Sequence, residues 1–279
     1  MVILIKKIDG TTQPYDGKRV LNSLQHAGAD IKTAQDIEAK IQSKLYNGMD
    51  TRTLFSYAFR ELKKYHPVTA ARYDLKNSLL RLGASGYPFE QYIATIMEAQ
   101  GYKTQTNVIV QGTIIPHEID VIAEKGTEKI MVECKHHRRE FIVAHIQTAL
   151  YVYARFLDVK KNFTTPMLAT NTKFTPQVLT YARGVGLRLL GWSYPKGNGL
   201  EDLLAQYKLY PITMHHMLDQ RIIDKCLENN IVLLTDIERF TPKKLSTMLE
   251  ISETKAKQII DSVDGYWNPT TKREVGRKK

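Results

Sequence analysis

The clearest hydrophobic pattern in the chain is a pair of apolar segments, Glu118 to Ala123 and Ile130 to Cys134, with a glycine-containing turn at residues 125–127 between them. Both are rich in β-branched residues, which predicts two strands joined by that turn. Apolar periodicity and turn signals predict the remaining elements: strands over Val2 to Lys7, Pro166 to Asn171 and Leu187 to Trp192, and helices over Lys18 to Ala27, Thr33 to Tyr46, Asp50 to Tyr65, Thr69 to Leu82, Tyr87 to Gln100, Glu140 to Leu157 and Thr175 to Val185.

Two glycine-containing segments, residues 83–86 and 196–199, are typical of linkers and divide the 279-residue chain. The divisions predict a small α+β domain over 1–83 and a second domain over 84–196. In the second domain, alternating strands and helices favour an α/β sandwich around a mixed sheet. From 197 to 267 the pattern is helical, and residues 268–279 form a basic tail that is expected to be disordered. The fold class is therefore α/β multidomain.

The charge balance favours an anionic partner. The formal net charge is +11 and the sequence pI is near 9.4, which makes nucleic acid the first candidate and an anionic membrane surface the second. No apolar run approaches the roughly 20 residues that span a bilayer, and the N-terminus lacks the apolar segment of a secretory signal, so the expected location is the cytoplasm. Only two cysteines are present, which excludes a disulfide framework and a cysteine-rich zinc site.

Candidate chemistry lies on the two predicted strands. Side chains two apart in a strand share a face, so Glu133 and Lys135 emerge side by side from the second strand, and Asp120 lies on the first. Such charged groups at the end of an apolar strand are costly to desolvate unless paired, and a divalent metal with a bound water would pair with them. The alternative is an exposed hairpin with an ordinary surface Glu/Lys pair.

Asp120 followed by Glu133-Cys134-Lys135 resembles the PD-(D/E)xK nucleases, the restriction-endonuclease-like superfamily, although Ile119 stands where the motif's name has proline. The resemblance implies a mixed-sheet fold in which Asp120 and Glu133 hold Mg2+ or Mn2+. It also implies that Lys135 orients or helps to deprotonate the attacking water. A basic cluster directly after Lys135, residues 136–139, lies where a scissile phosphate would be expected, and an ordinary solvated loop is its alternative.

Two further segments resemble particular members of that superfamily. Phe89-Glu90 followed by Gly101-Tyr102 is similar to the first helix of Mrr-like nucleases, which implies that Glu90 reaches the metal site. Its alternative is placement near the positive end of the helix dipole. Gln147 and Tyr151, at i and i+4 on one predicted helix face, resemble the Gln-xxx-Tyr motif of RecB-like relatives. This implies that Gln147 faces the same site, and the alternative is that both residues face solvent.

The N-terminal segment resembles the ATP-cone, the nucleotide-sensing domain of ribonucleotide reductases and of a repressor of their genes. The residues that carry the resemblance are Ile5-Lys6-Lys7-x-Asp9-Gly10, Tyr15-x-x-Lys18-Arg19-Val20 and Pro67-x-x-Ala70-Ala71-Arg72-Tyr73. It implies that ATP or dATP binds there, with Lys7 and either Lys18 or Arg19 on the phosphates and Lys6 beside them. Cations next to a helix N-terminus suit a polyphosphate. A solvated basic face is the alternative.

In the C-terminal region, residues 249–256 are similar to the turn and second helix of a helix-hairpin-helix, with Glu250 where that hairpin has glycine. A structural helical cap is the alternative. Together these features predict a Mg2+-dependent endonuclease of double-stranded DNA, regulated by ATP or dATP and expected to be a homo-oligomer. The alternative function is a nucleotide-responsive DNA-binding regulator with a catalytically silent nuclease fold, and a third is an RNA-processing or non-cutting scaffold protein.

Overall fold

The structure is a computed structural model that describes residues 2–7, 10–83, 86–139 and 142–267. The chain forms two compact units, and each contains segments that are distant in sequence. The first unit comprises the described residues of Met1–Leu75, Met214–Leu218 and Glu238–Lys279. The second comprises those of Lys76–Thr213 and Asp219–Ile237. None of the helices in the described ranges combines the length and apolar character needed to cross a membrane.

The N-terminal part of the first unit is a three-stranded sheet with four helices. The central strand pairs antiparallel to one neighbour and parallel to the other. The strands are β1 (Leu4–Lys6), β2 (Thr12–Pro14) and β3 (Met49–Asp50), and the helices are α1 (Gly17–His26), α2 (Ile31–Gln42), α3 (Thr51–Tyr65) and α4 (Pro67–Tyr73). The Asp50 side chain accepts a hydrogen bond from the Arg52 amide and so caps α3, as the sequence predicts. The core includes Leu24, Ile37 and Leu62, each fully buried.

The second unit is built on a five-stranded mixed sheet, which agrees with the fold predicted for this region. The sheet contains β4 (Lys103–Gln111), β5 (Pro116–Lys125), β6 (Glu128–Lys135), β8 (Thr165–Thr170) and β10 (Arg188–Leu190), and a separate parallel pair consists of β7 (Val143–Ala144) and β9 (Lys173–Phe174). The order is β10-β8-β6-β5-β4. Neighbours from β4 to β6 are antiparallel, and those from β6 to β10 are parallel.

The second unit also contains helices, several of which contact the sheet. They are α5 (Leu75–Leu80, which begins at the boundary of the first unit), α6 (Tyr87–Ala99), α7 (Ile146–Val159), α8 (Pro176–Val185), α9 (Leu200–Tyr207), α10 (Gln220–Glu228) and α11 (Leu234–Ile237). Helices α7 and α8 pack on the sheet face that carries Ile122, Met131 and Leu168. Helix α6 contacts β4 and β5 and buries Phe89 and Tyr92 completely.

The chain ends, within the described residues, in α12 (Pro242–Leu249) and α13 (Glu253–Trp267), which belong to the first unit. Between them Glu250 is left-handed, with φ 52° and ψ 51°, a conformation that costs a non-glycine residue about 1 to 2 kcal/mol. The two helices therefore turn where the predicted hairpin has glycine. The predicted basic tail, residues 268–279, lies outside the described residues.

Several predicted element boundaries are wrong. The helix predicted from Glu140 begins at Ile146, because Val143–Ala144 pairs with the distant strand Lys173–Phe174; Glu140 itself lies outside the described residues. The single helix predicted over Thr69 to Leu82 is two, α4 and α5, which Asp74 separates. Strand β4 was not predicted at all, because it is a half-exposed edge strand with many polar residues.

Candidate active site

Asp120 and Glu133 stand opposite each other on neighbouring strands. The antiparallel ladder of β5 and β6 ends at the pair Val121 and Val132, and Asp120 and Glu133 are the next residues on their strands. Opposite residues of an antiparallel pair point to the same face, so both carboxylates emerge together. The Cys134 amide donates a 2.7 Å hydrogen bond to Asp120 Oδ2, which fixes the orientation of the Asp120 carboxylate.

The two carboxylates have shifted pKa values. Burial, followed by the negative charge of Asp120, raises the pKa of Glu133 to about 7, against the opposing charges of Arg155 and Lys135. Burial also raises the pKa of Asp120, although the hydrogen bond from the Cys134 amide opposes it. Lys135 affects both carboxyl groups and is thus their electrostatic neighbour. Because burial penalises the charged form of both carboxyl groups, a further cation beside them would favour their ionised state.

Glu90 lies in the first turn of α6 and belongs electrostatically to the same group. Burial and the charge of Asp120 raise the pKa of Glu90, and a hydrogen bond from the Asn107 side chain opposes the rise. Gly86 leaves room for this carboxylate, because a Cβ atom at residue 86 would lie 2.9 Å from Glu90 Oε1. The structure therefore places Glu90 in the first turn of α6 and also near the carboxylates, while its contact with a metal stays a prediction.

Gln147 is not joined to this group in the structure. It is exposed on the first turn of α7, and no hydrogen bond links it to a carboxylate in the part of the chain that the structure describes. Tyr151, one turn later, is 58% exposed. Its ring lies 5.4 Å from the guanidinium carbon of Arg155. Tyr151 is thus connected to the site through its contact with Arg155.

Sequence reasoning missed Arg155. Its guanidinium forms an ion pair with the Glu133 carboxylate and also donates to the backbone carbonyl of Glu118. Arg155 lies four residues after Tyr151 and eight after Gln147, so the same helical spacing that indicated those two residues extends to it. That spacing is the sequence signal that could have identified it.

Sequence reasoning also missed Asn107. Its φ is 54°, in the middle of β4, and the ladder between β4 and β5 runs through Thr106 with Val121 and Val108 with Ile119. Asn107 therefore stands opposite Asp120, where asparagine is among the few residues that tolerate the left-handed conformation. The Asn107 side chain also hydrogen-bonds to Glu90, so Asn107 lies beside the carboxylates.

The basic cluster after Lys135 is only partly available to a ligand. The Nε2 atom of His136 lies 2.8 Å from the Leu79 carbonyl oxygen. The backbone of His137 is bonded in both directions to the side chain of the fully buried Asn171. Both histidines thus anchor the chain, whereas Arg138 and Arg139 are exposed.

The donor set suits a hard divalent cation. Among the described residues, no group of three His, Cys, Asp or Glu side chains lies close enough to hold a metal ion. Mg2+, however, is commonly held by one or two carboxylates, with waters and substrate phosphate completing its octahedron. Asp120 and Glu133, two carboxylates opposite each other on neighbouring strands, fit that requirement.

The residues predicted to bind nucleotide are exposed on the first unit. Lys6, Lys7, Lys18 and Arg19 all have exposed side chains. Arg19 lines a cavity of about 220 Å³ together with Tyr15, Phe55 and Tyr73, among other residues. The rings of Phe55 and Tyr73 stack with centroids 4.8 Å apart. Asp9, which belongs to the predicted turn, lies outside the described residues.

The fold and the paired carboxylates define a restriction-endonuclease-like domain. Residues 82–192 match the restriction endonuclease family of the Mrr catalytic type, and residues 210–265 match the family described as AF1548-like, C-terminal. The second match covers most of the region predicted only as a helical domain. Neither match includes residues 1–81, so the ATP-cone assignment stays a prediction.

Two relatives identify the wider family. An uncharacterized protein of Archaeoglobus fulgidus is 41% identical over 169 residues, which are 60% of this chain and 95% of the relative. The crystal structure of AF1548, a protein of unknown function, matches with a TM-score of 0.57 and 39% sequence identity. The match covers 65% of this chain and 97% of the AF1548 chain. The chain belongs to the AF1548-like family.

Proposed function

We propose that this protein is a Mg2+-dependent endonuclease that hydrolyses phosphodiester bonds of double-stranded DNA. The observation that carries the proposal is the pair Asp120 and Glu133, partly buried and opposite each other on adjacent strands, with Lys135 beside them. The match of residues 82–192 to restriction endonucleases supports the same chemistry. The net charge of +11 suits a polyanionic substrate.

Each side chain has a distinct role in this mechanism. When bound, Mg2+ or Mn2+ polarises the phosphoryl oxygen and stabilises the leaving 3′-oxygen. Asp120 and Glu133 hold that ion, and Glu90 adds negative charge beside it. As an ammonium, Lys135 orients the attacking water and offsets charge in the transition state; as a neutral amine, it would instead help to remove the proton of that water.

The proposed role of Gln147 is to hold the water or a neighbouring phosphate once DNA is bound. Its exposed position on α7 leaves the side chain accessible to such a ligand.

A second candidate function is a DNA-binding regulator with a silent nuclease fold. The observation that favours it is the ion pair between Arg155 and Glu133, since a guanidinium already supplies the positive charge that a metal would bring. The same pair is compatible with catalysis if a divalent cation competes with it successfully.

The proposed regulator of the nuclease is ATP or dATP bound to the N-terminal domain. The cavity beside Arg19 contains aromatic rings suited to a base and a cation suited to a phosphate. A nucleotide can regulate cleavage only if it binds two states of the protein, such as two oligomers, with different affinity.

Incubation of the purified protein with methylated and unmethylated plasmid, with and without Mg2+ and with and without ATP, tests the proposal. The expected result is nicked or linear plasmid only where Mg2+ is present, at a rate that ATP changes. Plasmid that is retained in a gel but never cut under any of these conditions would favour the silent regulator.

A further inference from the structure

The contacts of Arg155 are not explained by the roles given so far. Its guanidinium bonds to Glu133 and to the Glu118 carbonyl, and the Arg155 and Glu133 side chains are only 11% and 16% exposed. The ring of Tyr151 lies against the same guanidinium. The Arg155 guanidinium is thus held beside the carboxylates, and its buried Nε–H group has no acceptor among the described residues.

Arg155 and a divalent cation would compete for the same carboxylate. Glu133 is one of the two side chains proposed to hold Mg2+, and a guanidinium remains charged at every accessible pH. If a divalent ion takes the charge of Glu133, Arg155 needs another anion, because a partly buried cation without a partner is costly. A DNA phosphate is the anion expected at this place, and the planar guanidinium matches phosphate geometry in a bidentate manner.

Resting on the proposed nuclease function, we propose that Arg155 is a catalytic residue that binds the phosphate of the scissile bond. Glu133 holds its guanidinium in the metal-free protein and releases it to the DNA when the metal binds. Tyr151 and the Glu118 carbonyl keep the released guanidinium next to the carboxylates. Arg155 thereby couples metal binding to binding of the DNA phosphate.

The first test measures Mn2+ affinity of the full-length protein without DNA, from the electron paramagnetic resonance signal of free Mn2+. The buffer is kept near pH 8.5, above the folded pKa of Glu133. Arg155→Gln removes the competitor and is expected to tighten Mn2+ binding on the order of 10-fold, as for loss of a close charge pair. In a Glu133→Gln background the same substitution is expected to have a smaller effect, because Arg155 then acts only through its charge beside Asp120.

The matched control is Arg188→Gln. Arg188 pairs with Glu128 at the opposite end of β6, with a separation of 2.5 Å. This variant also breaks an arginine–glutamate pair on the same sheet. It is expected to leave Mn2+ affinity and DNA cleavage unchanged, because Glu128 is not one of the proposed metal-binding carboxylates.

The second test measures the rate of DNA cleavage and the salt dependence of DNA binding. Arg155→Gln is expected to slow cleavage about 100-fold at saturating Mn2+, the range for loss of a contact to developing charge. It is also expected to reduce the salt dependence of DNA binding by about one phosphate contact in the presence of the metal, but not in EDTA. Tighter metal binding together with slower cleavage is a combination that a purely structural ion pair does not produce.

Unchanged or weaker Mn2+ binding by Arg155→Gln, or cleavage at the wild-type rate, overturns the inference while the proposed function stands. Wild-type protein that neither binds Mn2+ nor cuts DNA overturns both. If Arg155→Gln does not fold, Arg155→Lys serves instead, since it keeps a charge for Glu133 but lacks the bidentate fork. Near-normal Mn2+ binding with slowed cleavage is then expected, and normal cleavage by this variant overturns the inference.

Discussion

Glu133→Gln should change how the stability of the metal-free protein depends on pH. The folded pKa of Glu133 is about 7, against an ordinary value of 4.5, so the folded protein holds this proton more tightly than the unfolded chain does. The stability that the bound proton provides is complete below the unfolded pKa. It is lost as pH rises through the folded value. A shift of this size corresponds to about 3 kcal/mol at about 1.4 kcal/mol per pH unit.

The assay is urea unfolding in EDTA at a series of pH values from about 5 to about 8, a window that contains most of the Glu133 titration. We expect the free energy of unfolding of the wild type to fall more steeply over that window than that of Glu133→Gln, by about 3 kcal/mol in total. In Glu133→Gln, Arg155 lacks its anionic partner at every pH, so this cost does not change the slope of the free energy of unfolding against pH. Addition of Mg2+ at the higher pH should restore part of the wild-type loss.

The control is Glu124→Gln, on the same hairpin. Glu124 is exposed and pairs with Lys129 at 2.6 Å, so its substitution should leave the pH dependence close to that of the wild type. Equal slopes for wild type and Glu133→Gln would refute the argument. They would mean that burial and the charge of Asp120 do not raise the pKa of Glu133.

The remaining predictions concern the supporting residues and the nucleotide. Glu90→Ala and Gln147→Ala should each slow cleavage by about 10-fold to 1,000-fold without lowering the melting temperature; a lower melting temperature with unchanged cleavage would make them structural. Lys7→Ala combined with Arg19→Ala should abolish the response of cleavage or oligomeric state to ATP or dATP while basal cleavage persists. Calorimetry that detects no nucleotide binding to the wild type would exclude this regulation.

The central part of the site could be predicted from the sequence because its geometry is local. Alternation along β5 and β6 is enough to bring Asp120, Glu133 and Lys135 to one end of the hairpin. Arg155 and Asn107 required the tertiary structure, since their roles depend on which helix and which edge strand pack against that hairpin. Spacing along α7 indicated the face of Arg155 but not its partner.

The boundary errors have a similar cause. The start of α7 was misplaced because residues 143–144 pair with residues 173–174, a contact between segments that no local pattern reveals. Strand β4 was missed because its exposed polar positions and its left-handed Asn107 break the alternation that identifies a strand.

The most direct test of the account is Mg2+-dependent plasmid nicking by Asp120→Ala and Lys135→Ala, measured beside retention of the same DNA in a gel. The matched control is Lys129→Ala, which removes a half-exposed lysine from the same strand, β6. No nicking is expected from the first two variants and wild-type nicking from the control. Similar DNA retention is expected from all, because the basic surface supplies most of the binding. Full cleavage by both Asp120→Ala and Lys135→Ala would contradict the account.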